Sequence, residues 1–232
     1  VGEKLQPYVE LAEFTINESL ESILEGIWKR QPKVIGFSCY IWNWKLIREI
    51  LTELPKILPD TEIWLGGPEV TYDGPGLLRE FPQVTGIMVG EGEVTFREVL
   101  DHYVREAEST GQSEQQPEPD SIEQQAADRT GTVAEKSVAE RFGQISGLCL
   151  ASGYTAPREL TDLTMLPFLY EDMEPFTNRI IYYETSRGCP YRCSYCLSSI
   201  DKKVRLRDID VVKRELQFFL DHQVPQVKFV DR

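Results

Sequence analysis

The first hundred residues alternate between short apolar strands and amphipathic helices, and this alternation limits the fold more than any other feature of the chain. Apolar side chains recur at three- and four-residue intervals in the predicted helices, which lie at 20–27, 47–58, 77–81 and 96–103. The predicted strands lie at 8–16, 34–38, 62–65 and 85–89. Strands that alternate with helices of this length form right-handed βαβ units. The sequence therefore predicts an α/β fold that begins with a doubly wound, Rossmann-like parallel sheet.

Three loops follow the strands of this predicted sheet at their carboxyl ends, which is where such sheets bind ligands. Each loop leads into the start of a helix, where unpaired backbone N–H groups can hold polar or anionic groups. The candidate binding residues in these loops are Ser38, Cys39, Gly66, Gly67, Pro68, Glu69, Gly90, Glu91 and Gly92. Composition alone leaves a second interpretation open, in which the glycines only form tight turns between strand and helix. No G-x-G-x-x-G motif follows a strand, which argues against a nicotinamide or flavin site.

Three of the five cysteines form a C-x3-C-x2-C motif made of Cys189, Cys193 and Cys196. The motif follows a strand predicted at 179–184, so it lies on a loop at the carboxyl end of that strand, where a (β/α) barrel has its chemistry. A [4Fe–4S] cluster normally takes four thiolates, one for each iron. Three protein thiolates in a compact cup would leave one iron open to a small molecule, much as catalytic zinc sites keep an open position.

Two other kinds of metal site use similar motifs. A zinc site needs a fourth cysteine or histidine nearby. The remaining cysteines and histidines, all distant in sequence, are Cys39, Cys149, His102 and His222. Half of a ferredoxin motif would have the spacing C-x2-C-x2-C. Cys149 alternates with apolar neighbours and is more typical of a small packed hydrophobic side chain than of a ligand. Cys39 lies at a strand end near a possible cofactor, and a packed thiol is its default interpretation.

The run 184–197, with this cysteine spacing and Tyr195 just before the last cysteine, resembles the cluster motif of the radical S-adenosylmethionine (SAM) enzymes. The resemblance implies that Cys189, Cys193 and Cys196 ligate a [4Fe–4S] cluster. It also implies that SAM binds the open iron through its amino nitrogen and carboxylate oxygen, with Tyr195 against the adenine. In that family the reduced cluster cleaves SAM to a 5′-deoxyadenosyl radical.

The end of the sequence resembles the opening of a radical SAM barrel. A helix beginning near Asp208 or Asp210 leads to a strand predicted at 226–230. The resemblance places Asp231 beside SAM, whereas a capping aspartate is the alternative reading. Ser186 and Arg187 are candidates to line the SAM site or only to shape the turn. About two of six barrel strands are covered, so we expect this chain alone to turn over poorly.

Residues 34–93, with their Gly-Phe-Ser, Gly-Gly-Pro-Glu and Gly-Glu-Gly-Glu signatures, resemble the cobalamin-binding domain that precedes the cluster domain in one branch of the radical SAM enzymes. The resemblance implies that the three loops surround the lower face and nucleotide tail of the corrin. His102 directly follows Asp101 and does not fit the Asp-x-His-x-x-Gly pattern that supplies a histidine to cobalt. Cobalamin is therefore expected without a histidine ligand. By the same comparison, the domain lacks its first strand and helix.

The middle of the chain is rich in Gln, Glu, Ser, Thr and Ala and cannot bury enough apolar surface to offset its chain entropy. We therefore predict a disordered acidic insertion there, followed by a hairpin with strands at 144–150 and 155–160. The predicted domain limits are 1–104 for the cobalamin-binding domain, 105–141 for the insertion, 142–178 for the hairpin and connector, and 179–232 for the radical SAM part.

Net charge, apolar runs and cysteine content limit the expected partners and cellular compartment of the protein. A net charge of −13 argues against a nucleic-acid partner. No apolar run approaches the roughly 20 residues that a membrane span needs. The cysteines do not form a disulfide framework and a cluster needs reduced thiols, which predicts a cytoplasmic protein.

Taken together, the resemblances imply a radical SAM enzyme with a cobalamin-binding domain. Cleavage of SAM would lead to methyl transfer or a related radical modification of an unknown substrate. A reductant such as flavodoxin or ferredoxin would supply the electron. A non-catalytic function stays open as the alternative, in which the cluster serves electron transfer or sensing and the α/β domain serves protein contact.

Overall fold

The computed structural model describes residues 2, 4–109, 137–191, 193, 194, 196 and 203–231. The chain divides into two units, Val1–Glu159 and Leu160–Arg232. The boundary between the two units falls within the segment predicted as hairpin and connector, 142–178. The four domain limits given above are not tested by this division.

The first unit is built on a five-stranded sheet in the order β1-β2-β3-β4-β5. The first three strands are parallel and the last two are antiparallel additions at one edge. The strands are β1 (Val34–Ser38), β2 (Glu62–Gly66), β3 (Val84–Met88), β4 (Leu148–Leu150) and β5 (Gly153–Tyr154). The helices are α1 (Leu20–Trp28), α2 (Trp44–Ile57), α3 (Gly74–Glu80), α4 (Gly92–Ser109) and α5 (Val138–Phe142).

Both faces of this sheet are covered, as the predicted doubly wound fold requires. Successive side chains of a strand point to opposite faces. Ile63 and Leu65 accordingly join one buried cluster with residues of α1, α2 and α3, whereas Trp64 joins another with residues of α4 and α5. The predicted α/β class with a parallel Rossmann-like sheet is confirmed.

The prediction of a strand at 8–16 is wrong. The structure has a short 3₁₀ turn at Gln6–Tyr8, and the residues after it pair with no strand of the sheet. Leu11 and Ile16 are exposed, whereas Phe14 packs against the buried cluster without being part of a strand. Extended backbone becomes a strand only where a neighbour accepts and donates its hydrogen bonds.

The predicted hairpin is shorter than expected and belongs to the first sheet. Residues 144–147 form turns and bends instead of strand, since Gly147 adopts a φ of +80° that a regular strand does not allow. Beyond Tyr154, pairing continues only through two bonds, from the N–H of Thr155 to Leu148 O (2.9 Å) and from the N–H of Gly147 to Ala156 O (2.8 Å).

Two ends of the predicted insertion are helical, which corrects the prediction of disorder there. Residues 105–109 extend α4, and residues 138–141 lie in α5. Ser137 and Glu140 form a capping box at the start of α5, and Arg141 pairs with Glu106 of α4. These local bonds stabilise helix ends that composition alone assigned to the insertion. Residues 110–136 lie outside the described part of the chain.

The second unit contains a βαβ crossover. Strands β6 (Ile181–Tyr183) and β9 (Val227–Phe229) are parallel neighbours, and α6 (Ile209–Asp221) connects them. Asp208 caps α6 by accepting hydrogen bonds from the N–H groups of Asp210 and Val211, at 2.9 and 3.1 Å. A two-residue antiparallel ladder joins β7 (Ser186–Arg187) to β8 (Arg205–Leu206). Among the residues that the structure describes, no helix has the length and apolar character needed to cross a membrane.

Candidate cofactor-binding sites

The three candidate loops of the first unit begin side by side at one edge of the sheet. The register pairs Ser38 with Gly66 and Gly66 with Met88, so all three strands end at the same level. The first two loops are also bonded to each other, because Cys39 N–H donates to Gly66 O at 2.7 Å and Glu69 N–H donates to Cys39 O at 3.3 Å. The fold therefore brings the starts of the three candidate loops together at one edge of the sheet.

Gly67 lies at the closest approach of these two loops. Its φ is +106°, and a Cβ added there would lie 2.5 Å from Cys39 O and 3.0 Å from Cys39 N. Both the backbone conformation and the missing side chain therefore require glycine. The Gly-Gly-Pro-Glu signature thus has a structural reason at its second glycine, independent of any ligand.

The side chain of Cys39 faces the protein core. Cys39 is fully buried, and burial raises the pKa of its thiol to about 12, so it stays protonated at neutral pH. The thiol donates a long hydrogen bond to Phe37 O at 3.5 Å. Cys39 is thus a packed thiol, and a contact between this residue and a cofactor would involve its backbone.

Asn43 organises the first loop, and sequence reasoning missed it. Its side-chain nitrogen donates to Ser38 O at 2.8 Å, and its side-chain oxygen accepts from the N–H of Tyr40 at 2.8 Å. The amide thus bridges the strand end and the loop instead of capping α2, which starts at the next residue. An asparagine just before a predicted helix was the available signal, since asparagine is common at that position.

The third loop leaves open space at its glycines. A Cβ added at Gly90 or Gly92 would meet nothing within 4 Å, and Gly92 is the first residue of α4. Val89 N–H donates to Gly147 O at 2.8 Å, which ties the loop to the hairpin. The loop therefore offers an unfilled surface beside the amino end of a long helix, where polar ligand groups are favoured.

A buried polar cluster holds the first turn of α4 beneath this loop. Thr95 is fully buried, and its hydroxyl accepts a hydrogen bond from Arg158 Nε at 2.7 Å and donates one to Ser146 O at 3.2 Å. Arg158 also bonds Ser146 O at 2.9 Å and forms an ion pair with Glu98. Nothing in the local sequence pattern links Arg158 to α4, because the two lie about 60 positions apart.

Large apolar side chains are exposed on the loops at this edge. Ile41 is 79% exposed, Trp42 64% and Tyr72 58%. The rings of Tyr40 and Trp42 stack with their centroids 4.5 Å apart. Exposed apolar groups gathered beside polar loops are typical of a binding surface.

His102 lies far along α4 from these loops. It is ten residues after the start of the helix, which corresponds to about 15 Å of helix length. Its Nε2 is 3.1 Å from Glu106 Oε1, and its ring contacts Phe142 with the centroids 4.7 Å apart. These contacts explain the residue as part of the α4–α5 packing.

The cysteine motif of the second unit follows β6 and β7. Cys189 and Cys196 are half-buried and Cys193 is exposed, and none of the three is in a disulfide. The N–H of Cys196 donates to Cys193 O at 3.1 Å, which links the backbones of these two cysteines. Tyr195, predicted to lie against the adenine of SAM, lies outside the described residues.

The three thiols are not assembled into a metal-binding group. Among the residues with described positions, no set of three or more His, Cys, Asp or Glu side chains is arranged to hold a metal ion. The ligand assignment of these cysteines stays a prediction, since metal binding and local folding are commonly coupled. The donor set of three cysteine thiols on one loop suits an iron–sulfur cluster chemically.

Asp231 joins the ends of β6 and β9 rather than standing free. Its Oδ1 accepts hydrogen bonds from the N–H groups of Thr185 and Ser186, at 2.6 and 2.8 Å, and its Oδ2 accepts one from the Thr185 hydroxyl. Partial burial opposes ionisation, but these hydrogen bonds outweigh it and hold the pKa of Asp231 below its usual value. The carboxylate shapes the start of the cysteine loop, as the capping interpretation requires.

Replacing Asp231 with asparagine should therefore loosen the strand end in a pH-dependent way. Because the folded pKa lies below the unfolded value of about 3.9, the carboxylate stabilises the fold above that pH and loses this effect as pH falls through the folded pKa. We expect Asp231→Asn to speed amide hydrogen exchange at Thr185 and Ser186 at pH 7. The free energy of local opening should fall by about 1 kcal/mol at most, since solvent screens these largely exposed hydrogen bonds.

This difference should shrink as the pH falls below about 4, and it should vanish only when the pH has fallen through the lowered pKa of Asp231 and the wild-type carboxyl is neutral. Asp210→Asn is the matched control, because Asp210 is an exposed aspartate of the same unit and makes no bond to the loop. Equal exchange at Thr185 and Ser186 in wild type and Asp231→Asn at pH 7 would refute the role assigned to this carboxylate.

Ser186 and Arg187 also have structural partners. Ser186 is buried and pairs with Leu206 in the β7–β8 ladder. The Arg187 guanidinium forms an ion pair with Glu184, with Nε 2.9 Å from Oε2. Both residues therefore shape the stem of the loop, and a contact with SAM stays a prediction.

A buried ion pair, absent from the sequence predictions, lies behind this stem. Arg207 forms two hydrogen bonds to Glu215, at 2.7 and 2.8 Å, and both side chains are more than 90% buried. Tyr183 donates its hydroxyl to the same carboxylate. Burial and the neighbouring Glu215 both raise the pKa of Tyr183, which keeps the phenol protonated as a donor.

Comparison with known proteins identifies the class. Residues 5–100 match the family model described as the B12 binding domain, a span that includes all three loops at the sheet edge. The match covers the domain for which cobalamin binding was predicted, and one of the relatives described below is named as a cobalamin-dependent radical SAM methyltransferase. The resemblance expected from the sequence is confirmed.

Two curated relatives align with most of the chain. The 2-(S-pantetheinyl)-carbapenam-3-carboxylate methyltransferase of Streptantibioticus cattleyicolor is 26% identical over 92% of this chain and 29% of its own length. The cobalamin-dependent radical SAM methyltransferase TokK of Streptomyces tokunonensis is 27% identical over 87% of this chain and 27% of its own length. The chain thus spans less than a third of these two relatives.

A solved structure supports the fold. The radical SAM methyltransferase TsrM from Kitasatospora setae, with cobalamin and a [4Fe–4S] cluster bound, superposes with a TM-score of 0.56 at 17% identity. The superposition covers 91% of this chain and 39% of that one. At this level of identity the likeness establishes a shared fold.

Proposed function

We propose that the chain forms the cobalamin-binding and cluster-binding part of a radical SAM methyltransferase. The observation that carries the proposal is the position of the C-x3-C-x2-C motif, on the loop after the first strand of a βαβ unit, in a chain that also contains a B12-binding domain. Both curated relatives are named as methyltransferases, which supports methyl transfer as the reaction.

In the first unit, the sheet edge would hold the cobalamin. The open surface at Gly90 and Gly92 and the exposed Trp42 and Tyr72 provide room and apolar contact for a large ring. Backbone groups of the two bonded loops, near Gly67, would meet the polar parts of the cofactor. Because no residue here resembles a histidine ligand to cobalt, these loops would bind through shape and hydrogen bonds.

In the second unit, Cys189, Cys193 and Cys196 would hold a [4Fe–4S] cluster. SAM would bind beside it, near the strand ends that Asp231 joins. When bound, the cluster would supply the electron that cleaves SAM and the cobalamin would carry the methyl group. A reductant such as flavodoxin or ferredoxin would deliver that electron. The chain itself binds and orients these groups and leaves one iron without a protein ligand.

The experiment that tests the proposal measures both metals in one sample. The chain is incubated anaerobically with hydroxocobalamin, iron(II) and sulfide, separated from free reagents by gel filtration, and assayed for cobalt and iron. We expect one cobalt and about four irons per chain. Iron without cobalt would contradict the cobalamin site, and cobalt without iron would contradict the cluster site.

A further inference from the structure

The stem of the cysteine loop is too short to hold its own geometry. In the described part of the chain, the backbone ladder that closes 188–204 has two paired positions, Ser186 with Leu206 and Arg187 with Arg205, and one added bond from Arg207 N–H to Thr185 O at 2.8 Å. A two-stranded ladder is marginal in water even when it is longer. Other contacts must therefore fix the distance between the two sides of the loop.

One carboxylate bonds both sides of this stem. Glu215, on α6, accepts a hydrogen bond from Tyr183, the last residue of the strand that leads into the loop. The same carboxylate accepts two hydrogen bonds from Arg207, the residue that follows β8 on the far side. Because the guanidinium binds in a two-pronged manner, it fixes orientation as well as distance.

The connector before β6 adds a third attachment. Arg207 Nη2 donates to Leu166 O at 2.7 Å, and Arg205 Nη1 donates to Thr161 O at 2.7 Å. The N–H of Asp208 donates to the hydroxyl of Thr164 at 3.2 Å. The far side of the stem is thus bonded to α6 on one flank and to residues 161–166 on the other.

Stability alone gives a weak reason for such a pair. Burying two charges costs about as much as their attraction returns, and well-packed apolar residues of similar size often stabilise a protein equally well or better. Buried pairs of this kind can instead specify geometry. The three thiols proposed to bind the cluster lie on the loop that this pair closes.

We propose that Glu215, acting through Arg207 and Tyr183, is a positioning residue that sets the opening of the cysteine loop so that its three thiols can take up an iron–sulfur cluster. This inference rests on the proposed function. Groups that orient metal ligands from behind typically change metal affinity about 10- to 100-fold when they are replaced. We expect an effect of that size on retention of the cluster.

The test uses the full chain and the double variant Arg207→Met/Glu215→Met, which replaces both charges by apolar side chains of similar length. Wild type and variant are loaded anaerobically with iron(II) and sulfide, and extraction of iron by bathophenanthroline disulfonate is followed by absorbance. We expect the variant to fold, with a lower thermal midpoint because the Tyr183 hydroxyl and Leu166 O each lose a hydrogen-bond partner, and to release iron about 10- to 100-fold faster. Arg48→Met/Glu80→Met is the control, since it removes an ion pair of the first unit.

A double variant that is folded and releases iron at the wild-type rate would overturn the inference while leaving the proposed function intact. If the double variant does not fold, Arg207→Lys decides by the same measurement, because lysine keeps the charge but loses the two-pronged contact. Faster release supports the inference and an unchanged rate overturns it. A wild-type chain that takes up no cluster would remove the proposed function, and the inference with it.

Discussion

Replacing Cys193 with serine should abolish incorporation of the iron–sulfur cluster and leave the stability of the chain almost unchanged. A serine hydroxyl is a poor substitute for a thiolate at iron, and two remaining thiolates leave two irons without protein ligands. The free energy of unfolding should change by less than about 0.5 kcal/mol, because Cys193 is exposed and contributes no packing. Iron and sulfide per chain after anaerobic reconstitution, together with thermal unfolding of the metal-free chain, measure both effects.

Cys149→Ala is the control for this experiment. Cys149 is buried in β4 of the first unit, so its truncation should lower the free energy of unfolding by about 1 kcal/mol but leave the cluster content unchanged. Cys193→Ser should thus lose iron but keep its stability, whereas Cys149→Ala should lose stability but keep its iron. Wild-type iron content in Cys193→Ser, or loss of iron in Cys149→Ala, would contradict the ligand assignment.

Replacing Gly67 with alanine should disrupt the loops at the edge of the first sheet. The added Cβ would lie 2.5 Å from Cys39 O, and alanine is disfavoured at a φ of +106°. Strain of this kind costs about 1–3 kcal/mol, and relieving it moves the two bonded loops apart. We therefore expect a lower free energy of unfolding and at least about 10-fold weaker binding of hydroxocobalamin, measured by the absorbance of the bound fraction.

Gly36→Ala is the matched control, because a Cβ at Gly36 in β1 of the same sheet meets nothing within 4 Å. It should leave cobalamin affinity unchanged. A Gly67→Ala chain that is destabilised but binds cobalamin as the wild type does would separate this loop contact from the cofactor site and contradict the placement of the cofactor there.

The strands and helices of the first unit could be predicted because their signals are local. Strand β1 has the limits that its apolar run indicated, and α2 follows the stripe that includes Ile47 and Leu54. The region 8–16 shows where this reasoning fails. Its pattern resembles a strand, but whether a partner is available depends on the whole sheet and is not written in the segment.

The contacts that shape the sites could not be predicted, since their partners are far apart in sequence. Arg158 bonds Thr95 from 63 positions away, and Asp231 bonds Thr185 from 46. Glu215 looks like an ordinary helix residue, and only the fold shows that it is buried against Arg207. The cysteine spacing predicts a [4Fe–4S] cluster, whereas the arrangement of the thiols around a metal cannot be predicted from the sequence, because metal binding and local folding are coupled.

The most direct test of a radical SAM site in this chain is the electron paramagnetic resonance spectrum of its reduced cluster, recorded with and without SAM. We expect the reconstituted chain to give a [4Fe–4S] signal that shifts when SAM is added, because SAM would bind the iron that has no protein ligand. A cluster signal that SAM leaves unchanged would contradict the proposal and favour an electron-transfer or sensing function, and a chain that takes up zinc or no metal would contradict both.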